Sequence, residues 1–420
     1  MIGALCAALA AVQGTVWTVD DDGPADFAVL GAAVGAAADG DMLLVKDGTY
    51  GSLLINGKSL AVVAEAGATV TVWGSSVRNL GAVQWVLLRG LTIGPGNEEG
   101  LQVKSNAGAV WVEKCQVTGQ AGDVGAWPLG DWGHDGFAGA VASDCSSVVF
   151  TRCTLSGGDG ADLWEEDWDA WPAAGGDGLT ADDSAVFLYD CTLSGADAGS
   201  IHDTLSYTGT TGGDGTHLET GFLFASGCVF TGGDGGGADE DSWYGCGNGG
   251  DAGHGLHLAW GGPAAWLMES QTAGGTGGSK GGWGCSDGAD GSSIHVDSGA
   301  FTSLAGEALH LTADSPVREG AVMSVGASGP PGWSGFAFVS LGQDPLWAAA
   351  PQVALLPSLS GFPVPLGLVP ASGQITAGVP IPELGPGIEA VSVYIQTVFI
   401  GPASWTLGAP SAVTLLDQTF

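Results

Sequence analysis

AVWVEKCQVTG (109–119), SVVFTRCTLSG (147–157), AVFLYDCTLSG (185–195) and GFLFASGCVFTG (221–232) are one phrase written four times. Its cysteines, Cys115, Cys153, Cys191 and Cys228, stand 38, 38 and 37 residues apart. Each phrase is a β-branched and aromatic run that suits a pleated strand, and each closes on glycine. A fixed period of this length marks a solenoid, whose units bury their apolar faces only by stacking. Alternation places Phe187, Tyr189 and Leu193 on the parity of Cys191, and Asp190 and Thr192 on the other. Lys114, Arg152 and Asp190 directly precede cysteines, so the cysteines are expected to point inward as a ladder. They read as small buried hydrophobes, since no Cys-x-x-Cys spacing supports a metal ladder.

A repeat of 38 residues exceeds one bare coil, so each turn should carry a loop. The loops, rich in Gly, Asp and Trp, are 121–136, 157–178, 195–215, 232–255 and 274–291. They are expected to project from one corner as flexible segments that share a surface. Trp127, Trp132, Trp164, Trp168, Trp171, Trp243 and Trp283 lie in them, interleaved with Glu165, Asp167 and Asp169. Flat aromatic faces suit sugar rings, and carboxylates accept hydroxyl hydrogen bonds. These residues are therefore the candidate glycan contacts; the alternative is that the tryptophans anchor the loops onto the coil. Cys246 and Cys285 sit in consecutive loops and are the expected disulfide in an exported protein. His217, His257 and His295 follow successive loops in GTHLE, GLHLA and SIHVD. In register they form a ladder, read either as a structural stack or as ligands to a transition metal.

The charge is lopsided. The chain holds 45 acidic and 9 basic residues, a formal net charge of −36. Within 121–300 there are 27 acids against Arg152 and Lys280 alone. Phosphate neutralisation requires the reverse, so a nucleic-acid partner is disfavoured. The acids read as a solvated face or as carboxylates placed for Ca²⁺, the one cofactor this composition raises. Separated GGDG units do not make the tandem Ca²⁺ nonapeptide. A 45% hydrophobic fraction with 76 glycines and no G-X-Y period excludes both disorder and collagen. Met1–Gly14 reads as a signal-peptide core without a positively charged start, too short to span a bilayer. A secreted or cell-surface location without membrane insertion is expected.

Residues 25–38 carry Phe27, Leu30, Val34 and Ala37 at helical spacing, and strands 42–46, 51–55 and 60–64 follow across Asp47-Gly48 and Asn56-Gly57 turns. Asp22-Gly23, Phe27, Ala32, Gly40-Asp41 and Gly48-Thr49-Tyr50 resemble the entry of the right-handed parallel β-helix proteins of the pectin-lyase-like group. The CTLSG cores are similar to rungs of that family. The resemblance implies an all-β, right-handed parallel β-helix over 15–320, with a helix capping its first coil. That group includes polysaccharide lyases and hydrolases, and Asp182-Asp183 and Gly253-His254-Gly255 match two of the four polygalacturonase-like motifs. The Asn-Thr-Asp and Arg-x-Lys motifs are missing, and Gly-His-Gly is one variant of a loop exit also written Gly176-Asp177-Gly178 and Gly213-Asp214-Gly215. No catalytic residue is assigned.

Residues 321–420 differ: 13 of the 19 prolines, no cysteine, lysine or arginine, and four acids. Apolar runs between Pro and Gly predict a small β-sandwich-like domain, similar to C-terminal β modules of bacterial surface proteins. The expected function is non-catalytic binding of glycans or other extracellular partners through the loops. The alternatives are a polysaccharide lyase or glycoside hydrolase on the same fold, and a purely structural surface protein.

Overall fold

A computed structural model describes residues 14–96, 98–123, 134–164, 173–202, 208–238, 247–348 and 353–420. The chain is all-β, with long parallel sheets compatible with a β-helix. One series of paired strands begins with Val16–Val19, Asp41–Val45, Leu60–Ala64 and Trp85–Arg89. It continues through the later parts of Leu101–Glu113, Ala140–Thr151 and Leu179–Tyr189, then Gly221–Ser226, Ala264–Met268 and Ala300–Leu304. A second series uses the earlier parts of the three long strands, followed by Thr216–Leu218, Leu256–Leu258 and Ile294–Val296. A third is the eight-stranded sheet from Gly48–Tyr50 to Gln271–Ala273. Register follows the phrase: Val110 pairs with Val148, Val148 with Val186, and Val186 with Leu223.

The corners are made by residues in the left-handed region. Ser105, Asp144 and Asp183 bend the long strands, with φ of 57°, 55° and 41°. Lys114, Arg152 and Asp190 turn the chain just before the cysteines, with φ of 52°, 53° and 54°. This corrects the parity expectation. Cys115, Cys153, Cys191 and Cys228 are buried in the inner cluster with Val186 and Leu188, but Phe187 and Tyr189 lie on the opposite, outer face. A left-handed residue between Tyr189 and Cys191 breaks the two-residue alternation that a continuous strand would keep. The cysteines are free thiols in a stack: Cys153 N–H approaches Cys191 Sγ, and Cys191 N–H approaches Cys228 Sγ, both at 3.5 Å.

Near the N-terminus the helix spans Leu30–Ala36, shorter than 25–38. Leu30, Ala33 and Val34 join the inner cluster beside Leu43 and Leu53. Lys58 Nζ donates to Val34 O (2.8 Å) and to Ala37 O, occupying carbonyls that the helix end leaves unpaired.

From Leu311 onward pairing is almost wholly antiparallel. Leu311–Ala313, Val322–Ser328 and Gln374–Pro380 form one sheet. Phe362–Leu368, Ser334–Ser340, Ala390–Ile400 and Trp405–Leu416 form another. This unit covers the outer face of the first parallel series. Trp111, Val149, Phe187, Tyr189 and Phe224 share a buried cluster with Leu309, Tyr394 and Leu415. The rings of Trp111 and Tyr394 lie 5.2 Å apart. Burying side chains of this size contributes about 1.5–3 kcal/mol each.

Charge crosses the seam as well. Glu113 is fully buried and ion-paired to both Arg89 and Arg152. Its carboxylate also accepts from Ser411 Oγ (2.7 Å) and Ala412 N (2.6 Å). Arg89 donates to Ala412 O at 2.7 Å, and Arg152 donates to Leu311 O. Burial pushes the Glu113 carboxyl up, but the two guanidiniums win and hold it at about 2. Among the described residues, no helix is long and apolar enough to cross a membrane.

Candidate functional site

The loops differ from expectation. Their glycine-rich arms are ordered by backbone hydrogen bonds. In the outgoing arm after Ser156, the N–H groups of Gly157 and Gly160 donate to Ser194 O and Asp197 O of the next turn, three residues apart. Between them, Gly158 N–H donates to Phe137 O in the return arm of the loop before. The pattern then runs on through alternating arms: Gly176 to Gly158, Ala196 to Gly176, Gly213 to Ala196, Gly233 to Gly213 and Gly253 to Gly233. A three-residue bonding period is that of polyproline-II geometry, which has no internal hydrogen bonds and must find partners in its neighbours. The packing is tight enough to demand glycine. A Cβ at Gly213 would lie 2.0 Å from Gly176 O, and one at Gly253 1.8 Å from Gly213 O.

The remaining residue of each triplet is usually aspartate. Its carboxylate accepts the N–H of its counterpart one turn later: Asp177 from Asp214 (2.7 Å), Asp197 from Asp234 (2.8 Å), and Asp214 from His254 (2.6 Å). Asp251 takes Ala289 N–H at 2.8 Å. These carboxylates complete a backbone edge that would otherwise lack acceptors. Much of the acidity of this section thus has a structural use that composition alone did not disclose.

The return arms feed the strands that carry the histidines. His217 pairs in register with His257, and His257 with His295. Ring centroids are 4.6 Å apart for the first pair and 5.1 Å for the second. The imidazoles line a cleft of about 500 Å³ together with Asp177, Asp214 and His254. Asp214 Oδ2 takes both His217 Nδ1 (3.0 Å) and His257 Nδ1 (2.8 Å). The far nitrogen of His257, Nε2, meets Asp297 Oδ2 at 3.1 Å, and His295 Nε2 meets Asp297 Oδ1 at 3.1 Å. His254 stacks on His295 at 4.3 Å, and its Nδ1 accepts Ser292 N–H at 2.9 Å.

Electrostatics follow the contacts. The bond to Asp214, reinforced by Asp297, raises the His257 imidazole to about 9 despite its partial burial. His217 is raised for the same first reason. Burial works against ionisation of Asp214, but donors from His217 and His257 hold its carboxyl below the usual range. Asp177, partly desolvated and beside the Asp214 charge, is pushed up to about 6. His254, desolvated and near other imidazoles, is lowered.

The three predicted histidines are therefore brought together. Sequence reasoning named Asp214 and His254 only as variants of a loop exit, without joining them to the histidine ladder, and missed Asp297. The spacing His295-x-Asp297 was the available signal: His295 lies on the strand Ile294–Val296 and Asp297 directly follows it. Two nitrogen-rich groups gather here, Asp214–His254–His257 and His257–His295–Asp297. Such donors suit a borderline transition metal; Ca²⁺ requires 6–8 oxygens and is not matched by this set. Asp182-Asp183 serves the corner: Asp182 Oδ1 accepts from Thr220 Oγ1 at 2.6 Å, and Thr220 Oγ1 accepts Asp183 N–H at 2.7 Å.

Trp127, Trp132, Glu165, Asp167, Trp168, Asp169, Trp171, Trp243 and Cys246 lie outside the described residues. The backbone of Trp164 belongs to Leu163–Trp164, which pairs with Ile201–His202. Trp283 is fully exposed. Cys285 is disulfide-bonded, and backbone bonds in both directions between Gly247 and Gly281 join the two loops in which Cys246 and Cys285 occur. No protein-family model matches the chain, and no curated protein matches it.

Proposed function

We propose that the chain is an exported, non-catalytic right-handed parallel β-helix protein of the secreted or cell-surface kind, binding glycans through its loop side. The N-terminal helix acts as the cap of the first coil in this reading. The observation that carries it is Trp283, whose indole stands fully in solvent on a loop that is not free to fold over it. That loop is held by the Gly247–Gly281 pairing, by Lys280 N–H to Asp287 Oδ1 at 3.0 Å, and by the Cys285 disulfide. An apolar face kept rigid and open is pre-organised for a flat, hydroxyl-rimmed ligand.

A glycan array with the full chain, repeated with Trp283→Ala, tests this. The expected result is binding to a defined set of neutral glycans that falls at least about tenfold in the variant, the scale of one lost aromatic anchor. Absence of any binding leaves the structural reading. Release of reducing or unsaturated sugars in a parallel polysaccharide assay assigns the lyase or hydrolase reading instead.

A further inference from the structure

We propose that His257, His295 and Asp297 form a three-ligand site for a divalent transition metal, with Asp214 as the positioning carboxylate of His257. The site shares no ligand with the Trp283 loop and does not depend on glycan binding. Three features of the fold converge on it. His295 lies on the strand Ile294–Val296 and Asp297 directly follows it, in the turn where its carboxylate meets His295 Nε2 at 3.1 Å. His257 sits opposite His295 on the adjacent parallel strand, in direct register. The ligand atoms are already near one another, with each Nε2 at 3.1 Å from an oxygen of Asp297. A tetrahedral ion bound at ~2.1 Å separates its ligands by roughly 3.4 Å, and the three ligand atoms here already lie within 4.8 Å of one another.

The surrounding contacts favour the metal-ready tautomer. His257 Nδ1–H donates to Asp214 Oδ2 at 2.8 Å, which leaves Nε2 to face the ion. A carboxylate behind a ligating imidazole in this way fixes the ring and raises its basicity. The hydrogen now shared between His257 Nε2 and Asp297 is what the ion replaces, and it leaves as a proton; the hydrogen that His295 Nε2 shares with Asp297 moves to Nδ1 of the same ring, so that Nε2 can ligate. His254 is excluded as a ligand by the same logic: its Nδ1 lone pair already accepts Ser292 N–H, so Nε2 retains its hydrogen. His217 contacts Asp214 and reaches the ion only through it. Two imidazoles and one carboxylate match Zn²⁺, Co²⁺ or Fe²⁺ sites with positions left for water or a ligand. Both imidazoles line the cleft of about 500 Å³, which gives such a ligand a route of approach.

The test uses Co²⁺ and Zn²⁺ alone, added to metal-stripped full-length protein at neutral pH. We expect one Co²⁺ per chain with visible absorption bands of a low-coordinate nitrogen–oxygen site, displaced stoichiometrically by Zn²⁺. His257→Ala, His295→Ala and Asp297→Ala should each weaken binding at least about 100-fold, and Asp214→Asn about 10–100-fold. His310→Ala, at the distant pair with Asp190, should bind as the unaltered chain does. Circular dichroism on each variant separates loss of a ligand from loss of fold. Failure of the folded, unaltered chain to bind either ion overturns the proposal, as does wild-type affinity in Asp297→Ala.

Discussion

Replacing Glu113 with alanine lowers the stability of the chain by about 3–5 kcal/mol, the cost typical of breaking a buried ion pair from one side. The substitution leaves Arg89, almost wholly buried, and Arg152, largely so, without their shared anion. It also removes the acceptor for Ser411 and for the Ala412 N–H, so the contact between the antiparallel unit and the parallel sheets fails first. Urea unfolding monitored by circular dichroism, with limited proteolysis of residues 311–420, reads both effects. The same carboxylate gives the seam a pH dependence of known sign. Its folded-state value of about 2 is depressed from the ordinary 4.5. The stabilisation is therefore complete above about pH 4.5 and is lost as pH falls towards 2. It amounts to about 3 kcal/mol at neutral pH, an order-of-magnitude figure from 1.36 kcal/mol per unit. Glu113→Gln should flatten this part of the acid-unfolding curve. An unfolding midpoint unchanged by Glu113→Ala would show that the triad does not hold the two parts together.

Gly213→Ala should be nearly as damaging, at about 3 kcal/mol, the upper range for forcing extra volume into packed structure. Its Cβ would sit 2.0 Å from Gly176 O and 2.4 Å from Gly176 C, and a backbone in a hydrogen-bonded layer cannot swing aside as a side chain can. The control lies in the N-terminal helix. Gly31 and Gly35 are helical and open, and a methyl group added at either meets nothing within 4 Å. Alanine at either should stabilise by about 0.5–1 kcal/mol. Thermal melts of the three variants decide the matter. Equal, small effects at Gly213 and Gly31 would mean that the arms are loose.

Much of this arrangement was legible beforehand. The phrase around Cys115, Cys153, Cys191 and Cys228 reports the register because each turn returns the same residues to the same sheet, and the in-register histidines followed from it. What periodicity could not report was the corner. A left-handed residue such as Asp190 has no sequence signature distinct from a solvated aspartate, and it reverses the facing of Phe187 and Tyr189. Those aromatics looked like interior residues and are instead the surface on which the antiparallel unit rests. The docking was hidden for a related reason. Glu113, Arg89 and Arg152 are far apart in sequence from Ser411 and Ala412, and an isolated charge in an apolar strand gives no hint of its partner. The glycine arms were misread because high glycine content ordinarily favours flexibility; order here comes from a three-residue bonding period and from aspartates that accept the next turn's N–H.

Amide hydrogen exchange across the glycine-rich arms tests that central claim most directly. Stacked arms predict that Gly157–Gly160, Gly175–Gly178, Gly212–Gly215, Gly232–Gly236 and Gly249–Gly255 are protected to a degree comparable with the adjoining strands, because their N–H groups are bonded to neighbouring turns. Exchange of these glycines at the rate of an unstructured peptide, while the strands stay protected, would contradict it.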